Sequence, residues 1–226
     1  MENTLLDLLF PPKCAFCGKL LDASGDICPD CEAKLPYREK ENTLAFIGGN
    51  RYPCARTFYY DSVVRDGVRA LKFGKKSWRA KVFSRYIART AAEQFPDRFD
   101  AVTYVPVSWR RNFTRGFDQA RLLAGGTAGI WGQKAERVLR KIRHTKAQSS
   151  LDSPGARERN VKGAYAVLDP AKVKGRKFLL IDDVCTTGST LSAAADALTA
   201  AGAEAVVCAV LAGGHAEMEK DVDLLP

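Results

Sequence analysis

The sequence predicts an α/β domain with a largely parallel sheet flanked by helices, preceded by a small cysteine-rich module. Two segments with continuous apolar runs, 177–182 with four apolar residues in succession and 205–211 with seven, flank an alanine-rich segment at 189–201 that ends at Gly202. A buried strand, a helix and a second buried strand in this order are typical of a parallel sheet with a right-handed crossover. A chain of 226 residues is long enough for one full domain and a small additional unit.

The cysteine-rich module has the pattern Cys-x2-Cys-x10-Cys-x2-Cys. Two Cys-x-x-Cys turns at this spacing place four thiolates around one tetrahedral centre, the arrangement that zinc prefers. Gly18 follows the second cysteine, where the turn favours a residue that tolerates positive φ. A redox-active Cys-x-x-Cys pair is the alternative, but two pairs favour a structural site with no open coordination position. The expected zinc ligands are Cys14, Cys17, Cys28 and Cys31.

The order of the other elements is predicted from apolar periodicity and turn residues. Residues 1–36 are assigned to an N-terminal helix and the zinc module, 37–56 to a linker that contains Gly48 and Gly49, and 57–226 to the α/β domain. Cys208 is expected in the core, whereas Cys54 receives no role. Within the domain we predict a strand at 57–60, helices at 64–73 and 78–95, a strand at 100–107, a helix from Asp118, a polar segment at 143–162 with the character of a lid, and a strand at 164–168.

The charge of the chain is uneven, although its formal net value is +9. Residues 65–89 hold nine basic and one acidic residue, and residues 137–177 hold twelve basic and three acidic residues, whereas 178–226 hold one basic and eight acidic residues. The basic blocks predict either solvated faces or a surface for a polyanion, such as a phosphate ester or a nucleic acid. Since no apolar run reaches about 18 residues, and residues 1–10 have an early acid and none of the basic residues of a signal peptide, we expect a cytoplasmic protein without membrane insertion.

The segment 178–190 carries the strongest functional signal. An apolar strand ends in Asp182 and Asp183, and a loop of hydroxyl residues with Gly188 leads into a helix. Main-chain N–H groups at a helix N-terminus bind anions, and glycine allows the close approach of a phosphate. The two acids accept hydrogen bonds from sugar hydroxyls or hold Mg2+. The segment therefore predicts a ribose 5-phosphate site, with an ordinary capped turn as the structural alternative.

Further segments carry a family resemblance. They are the apolar N-terminus with the paired cysteines, Leu-Lys-Phe-Gly at 71–74, Val-Pro-Val at 105–107, Arg-Gly-Phe-Asp-Gln-Ala at 115–120, and the stretch from Gln148 to Val161. Together with the loop at 182–190, which is similar to the phosphoribosyl pyrophosphate (PRPP) signature, they resemble the ComF family of bacterial competence proteins. The resemblance implies a type I phosphoribosyltransferase-like fold behind a zinc-binding module.

The resemblance also implies roles for individual residues. Asp182 and Asp183 would contact the ribose hydroxyls with Mg2+ nearby, and Arg157 and Arg159, in the segment that closes over the site, would act on the pyrophosphate; these four are the expected catalytic residues. The residues expected to bind PRPP are Thr186, Thr187, Gly188, Ser189 and Thr190 at the 5-phosphate, with Ser108 and Arg115 in a pyrophosphate loop.

The implied function is Mg2+-dependent transfer of a phosphoribosyl group from PRPP, or from another ribose 5-phosphate compound, to an acceptor that the sequence does not identify. The family links this activity to competence and DNA uptake. The alternative is a non-catalytic protein of natural transformation that handles single-stranded DNA or binds a helicase, as the basic blocks suggest.

Overall fold

The computed structural model describes residues 11–21, 25–39, 43–49, 51–73, 76–107, 117–143, 145 and 154–214. Three predicted features lie outside these ranges. They are the N-terminal helix, the pyrophosphate-loop residues Ser108 and Arg115, and residues 146–153 of the expected lid.

The described strands form one five-stranded sheet and one hairpin. The sheet contains β1 (Leu44–Ile47), β2 (Tyr52–Tyr59), β3 (Ala101–Tyr104), β6 (Lys177–Cys185) and β7 (Ala205–Gly213), and the hairpin contains β4 (Leu139–Lys141) and β5 (Tyr165–Val167). The strand order in the sheet is β1-β2-β7-β6-β3. Apart from the antiparallel pair β1–β2, all neighbours in the sheet are parallel, which confirms the predicted parallel sheet.

Helices cover both faces of this sheet. They are α1 (Pro29–Glu32), α2 (Ser62–Phe73), α3 (Arg79–Gln94), α4 (Gln119–Ile130), α5 (Pro154–Val161) and α6 (Ser189–Ala200). Apolar residues of α2, α3 and α4 share one core with one face of the sheet, and α6 and the hairpin share a second core with the other face. No helix in the described part of the chain combines the length and the apolar character needed to cross a membrane.

The stretch predicted as a linker, 37–56, contains β1 and the first half of β2. Gly48 and Gly49 both adopt φ +65° and form the turn between these two strands. The alternation of buried and half-buried residues in β1 explains the difference, because every second side chain of this short strand enters the core. The glycines therefore mark a hairpin turn within the sheet.

The cysteine-rich module is packed against the α/β domain. The ring of Phe16 lies 5.2 Å from the ring of Phe83 in α3 and 6.2 Å from that of Phe58 in β2. Gly67 in α2 leaves room for this aromatic ring, since a Cβ atom at Gly67 would lie 3.2 Å from Phe16. Phe16 thus belongs to the same apolar core as the helices of the domain.

Candidate functional site

The paired acids lie within β6, whereas the sequence predicted that the strand ends at them. The strand continues to Cys185, which pairs with Gly213 of β7, and Asp182 lies opposite Val210. Val184 and Cys185 extend the pairing because both side chains pack against the core clusters of the protein. The acids consequently occupy the last rows of a central strand, at the carboxyl edge of the sheet.

The loop that follows β6 has the geometry of an anion-binding site. Gly188 adopts φ +73° and directly precedes α6. Among the described residues, no main-chain carbonyl accepts a hydrogen bond from the N–H groups of Thr186, Thr187 or Ser189. The hydroxyl oxygens of Thr187 and Ser189 lie 2.9 Å apart. Because a helix N-terminus also carries positive partial charge, this loop is suited to hold a phosphate group.

Asp182 carries an unusual carboxyl group at this edge. Its Oδ1 accepts a hydrogen bond of 2.8 Å from the main-chain N–H of Asp183. Burial, and then the neighbouring Asp183 carboxylate, raise the pKa of Asp182 well above its ordinary value of 3.8. Perturbed carboxyl groups of this kind are concentrated at functional sites.

Lys72, from α2, is the cation of the acid edge. Its Nζ lies 2.8 Å from Oδ1 of Asp183, and both side chains are largely shielded from solvent. Burial alone would lower the pKa of Lys72, but the carboxylates of Asp183 and Asp182 raise it above its ordinary value of 10.5. The ammonium group is therefore held in its charged form beside the two acids.

Asp118 brings a third carboxylate to the same region. It caps the N-terminus of α4, where its Oδ1 accepts from the N–H of Arg121 at 3.1 Å and its Oδ2 accepts from the N–H of Val107 at 3.1 Å. Burial, together with the charge of Asp183, raises the pKa of Asp118. The residue fixes the segment that leaves β3 against the start of α4.

Neither Lys72 nor Asp118 was among the site residues predicted from the sequence. The signal for Lys72 was present, since Val64, Val68 and Lys72 recur every four residues and so share one helix face. Asp118 was identified as a helix start only. Its proximity to the paired acids depends on β3 and β6 being neighbours, which the sequence does not reveal.

The acid edge fits Mg2+ that arrives with a phosphate ligand. Carboxylate oxygens are the ligands that Mg2+ uses, usually one or two of them together with water and substrate phosphates. Within the described ranges, the only group of three or more potential metal ligands close to one another is the four-cysteine cluster. Asp182 and Asp183 therefore do not form a closed metal cage, and they would share the ion with the phosphates of the ligand.

The predicted arginines lie on a different element from the acids. Arg157 is half-buried and Arg159 is exposed on α5, which packs against α6. The structure thus brings Asp182, Asp183 and the loop 186–190 together, and it places the two arginines beside the helix that this loop begins.

A groove of about 580 Å³ lies elsewhere, between α3, β2 and the segment that follows the cysteine-rich module. Tyr37, Tyr86 and the exposed ion pair of Arg89 with Glu93 line it. It lacks the free helix N-terminus and the acids of the β6 edge. We assign the candidate site by chemistry and not by cavity size.

The four predicted zinc ligands form one cluster. All four Sγ atoms lie within 4.8 Å of one another, and Cys17 Sγ and Cys28 Sγ are 3.8 Å apart. A tetrahedral zinc site with Zn–S bonds of about 2.3 Å requires a separation of about 3.8 Å between sulfur atoms. Burial opposes ionisation of Cys14, but donation from main-chain N–H groups, that of Cys28 foremost, lowers its pKa to about 6; burial raises the pKa of Cys17 and Cys31, so that the argument for zinc is the geometry of the four sulfur atoms. The cluster therefore fits zinc.

Two family models match separate parts of the chain. Residues 133–224 match the phosphoribosyl transferase domain, and residues 5–42 match the double zinc ribbon domain. The first match includes the acids of β6 and the loop 186–190. The second includes four cysteines and no histidine, so that it supports one zinc centre with four thiolate ligands.

Curated relatives match most of the chain. It is 34% identical over 204 residues to DNA utilization protein YhgH of Salmonella typhimurium, covering 85% of this chain and 86% of that protein. It is 26% identical to competence protein F of Haemophilus influenzae, with 86% and 82% covered, and 25% identical to competence protein ComFC of Bacillus subtilis, with 86% and 74% covered. On these matches, the chain belongs to the ComF family of competence proteins with a phosphoribosyltransferase domain.

Proposed function

We propose that the protein binds PRPP together with Mg2+ at the carboxyl edge of β6 and transfers its phosphoribosyl group to an acceptor. The observation that carries this proposal is the arrangement of Asp182, Asp183 and Gly188, which joins two acids to an open helix N-terminus within seven residues. Open α/β sheets bind ligands at the carboxyl ends of their strands. A ligand with a diol beside a phosphate matches this arrangement.

The residues of the loop would bind the sugar-phosphate end of the ligand. The main-chain N–H groups of Thr186, Thr187 and Ser189 donate to the 5-phosphate, and the hydroxyls of Thr187 and Ser189 add donors. Asp182 and Asp183 accept hydrogen bonds from the ribose hydroxyls. Lys72 holds the Asp183 carboxylate in position through the 2.8 Å contact.

The reaction would exchange one bond at the anomeric carbon. The bond between C1 of the ribose and the pyrophosphate oxygen breaks, and a bond from C1 to the acceptor forms. When bound, Mg2+ would stabilise the charge of the departing pyrophosphate. Arg157, Arg159, Ser108 and Arg115 are the protein groups that we propose as its further contacts. Closure of the segment that holds Arg157 and Arg159 would exclude water from the reacting carbon.

Calorimetric titration of the full-length protein with PRPP, with and without Mg2+, tests the proposal. We expect binding that depends on Mg2+ and that falls at least tenfold in the double variant Asp182→Asn/Asp183→Asn. Glu204→Gln is the matched control, because this exposed carboxylate pairs with Lys177 at the opposite edge of the sheet. Equal binding by the double variant, or no binding by the unaltered protein, would refute the proposal.

A second candidate function is the handling of single-stranded DNA, which the names of the relatives suggest. The exposed residues Lys81, Arg85 and Arg89 recur every four residues along α3 and form a basic stripe. The structure also weakens this candidate, because Arg79, of the same basic block, is buried, and Lys72 is largely shielded and paired with Asp183.

Fluorescence anisotropy with a labelled single-stranded oligonucleotide tests this second candidate. Affinity should fall steeply with salt and should be lost when the three basic residues of the stripe are changed to Glu. PRPP binding should survive these changes if the two functions use separate surfaces. The absence of any affinity at low salt would eliminate this candidate and leave the first untouched.

A further inference from the structure

Arg79, the first residue of α3, is buried in an unusual setting. It is only 1% exposed, whereas arginine is rarely buried without a partner of opposite charge. Its Nη1 donates hydrogen bonds to the carbonyl oxygens of Ala15 and Phe16, the latter at 2.7 Å. These two residues are the ones that separate Cys14 from Cys17. The guanidinium group therefore contacts the inner side of the first cysteine turn.

The cysteine turn is shaped to receive this side chain. Gly18 adopts φ +83°, and a Cβ atom at this position would lie 3.0 Å from Nη2 of Arg79. On the other side, the ring of Trp78 lies 5.1 Å from the guanidinium carbon. Nε of Arg79 has no hydrogen-bond partner among the described residues. The guanidinium group is thus fixed between the first cysteine turn and the ring of Trp78, next to the cysteine cluster.

The charged groups that face Arg79 are the thiolates of the cluster. Burial lowers the pKa of Arg79, and the sulfur atoms of Cys14, Cys17 and Cys31 act in the opposite direction. Four thiolates around Zn2+ leave a net charge of about −2, which is costly to bury without compensation. A fixed guanidinium provides such compensation at this site.

We propose that Arg79 is the counter-cation of the zinc centre and the joint through which the metal-binding module is attached to the α/β domain. Retention of zinc and docking of the module are then linked, so that each strengthens the other. Arg79 acts through the thiolates and the carbonyl groups of the turn, and it does not coordinate the metal. It is a positioning residue.

Zinc release from the full-length protein tests this role. The variants are Arg79→Met, which keeps much of the volume without the charge, and Arg79→Lys, which restores the charge without the planar fork. With a chromogenic chelator, we expect at least tenfold faster release from Arg79→Met and an intermediate rate from Arg79→Lys. Arg85→Met is the matched control, because this exposed arginine of the same helix also contacts the module, through Asp26. Its rate should stay within twofold of the unaltered protein.

Two results would overturn the proposal. One is an unchanged rate of zinc release from Arg79→Met; the other is equally fast release from Arg79→Lys and Arg79→Met, which would exclude a role of the charge. A second measurement does not depend on the folding of any variant. When zinc is chelated from the unaltered protein, hydrogen exchange should accelerate at the first turn of α3, where the amides of Arg79, Ala80 and Lys81 bond to residues 76–78. Unchanged protection there would also contradict the linkage.

Discussion

Two anionic clusters in this molecule each lie beside one cation that is shielded from solvent, but the cations are held differently. The guanidinium of Arg79 is fixed by two carbonyl oxygens and faces the thiolates of the cysteine cluster. The ammonium of Lys72 makes an ion pair with Asp183 at the edge of the sheet, where both side chains keep some exposure. A cation with fixed partners supports structure, whereas one at an open edge is able to respond to an incoming phosphate. The difference between the two cations separates a structural centre from the ligand site that we propose.

Loss of zinc from the cysteine cluster should have the largest effect of all the changes and tests the structural role of that cluster. Cys31→Ser removes one of the four thiolates, and we expect it to abolish zinc binding and to lower the free energy of unfolding by more than about 4 kcal/mol. Zinc content per chain and urea denaturation measure both effects. Cys208→Ala, a change in the core of the sheet, is the control and should retain the metal. Retention of zinc by Cys31→Ser would show that the cluster is not the metal site.

Removal of the cation at the sheet edge should have the next largest effect. Lys72→Met leaves Asp183 without its partner and should cost about 3 kcal/mol of stability at neutral pH. Because the pKa of Lys72 is raised in the folded protein, its contribution is complete below pH 10.5 and is lost as the pH rises through the raised value. Urea denaturation at neutral and alkaline pH should therefore show a shrinking difference between the two proteins. A difference that does not change with pH would contradict the ion pair.

A pair of glycine variants separates backbone strain from ligand binding. Gly188 and Gly175 both have positive φ, +73° and +71°, and a Cβ at Gly175 would meet no atom within 4 Å. Each change to Ala should cost about 1 kcal/mol in unfolding free energy. Only Gly188→Ala should also weaken PRPP binding, measured by calorimetry. An equal loss of affinity in both variants would point to a general effect on the fold.

Substitution of Asp182 should increase the stability of the protein, whereas the variants described above decrease it. Its raised pKa means that the folded protein holds this proton more tightly than the unfolded chain, so that stability falls as the pH rises from 3.8 through the raised value. Asp182→Asn removes this penalty and should stabilise the protein by about 1 kcal/mol at neutral pH while PRPP binding is lost. Thermal denaturation across acidic to neutral pH measures the flatter profile. Lower stability of the variant at neutral pH would contradict the raised pKa.

The smallest effect is expected at the exposed contact between the module and α3. Asp26 and Arg85 form an ion pair of 2.5 Å with both side chains substantially exposed. Such pairs contribute little, so Asp26→Asn should change the free energy of unfolding by less than about 0.5 kcal/mol. Chemical denaturation measures it. A large loss of unfolding free energy would mean that this surface ion pair, and not Arg79, is the main attachment of the module.

The features that were predicted correctly are those defined by residues close together in the sequence. The four cysteines lie within 18 residues, so that their pattern alone defined the cluster. Continuous apolar runs likewise indicated β6 and β7, and the crossover between them. The acid edge was predicted only in part, because Lys72 and Asp118 reach Asp183 from distant helices. The sequence also did not predict that Arg79 is buried and that Lys72 is largely shielded, because a count of charged residues does not show whether their side chains are exposed.

The distance along the chain between Arg79 and the turn that it contacts sets an order of events during synthesis. Ala15 and Arg79 are 64 residues apart. At a ribosomal rate of about 5–20 residues per second, several seconds pass between the appearance of the cysteine turn and that of its arginine. All four thiolates of the nascent module are therefore present, and able to take up the metal, while the guanidinium is still absent. Docking onto the first turn of α3 would then lock an ion that has already been captured.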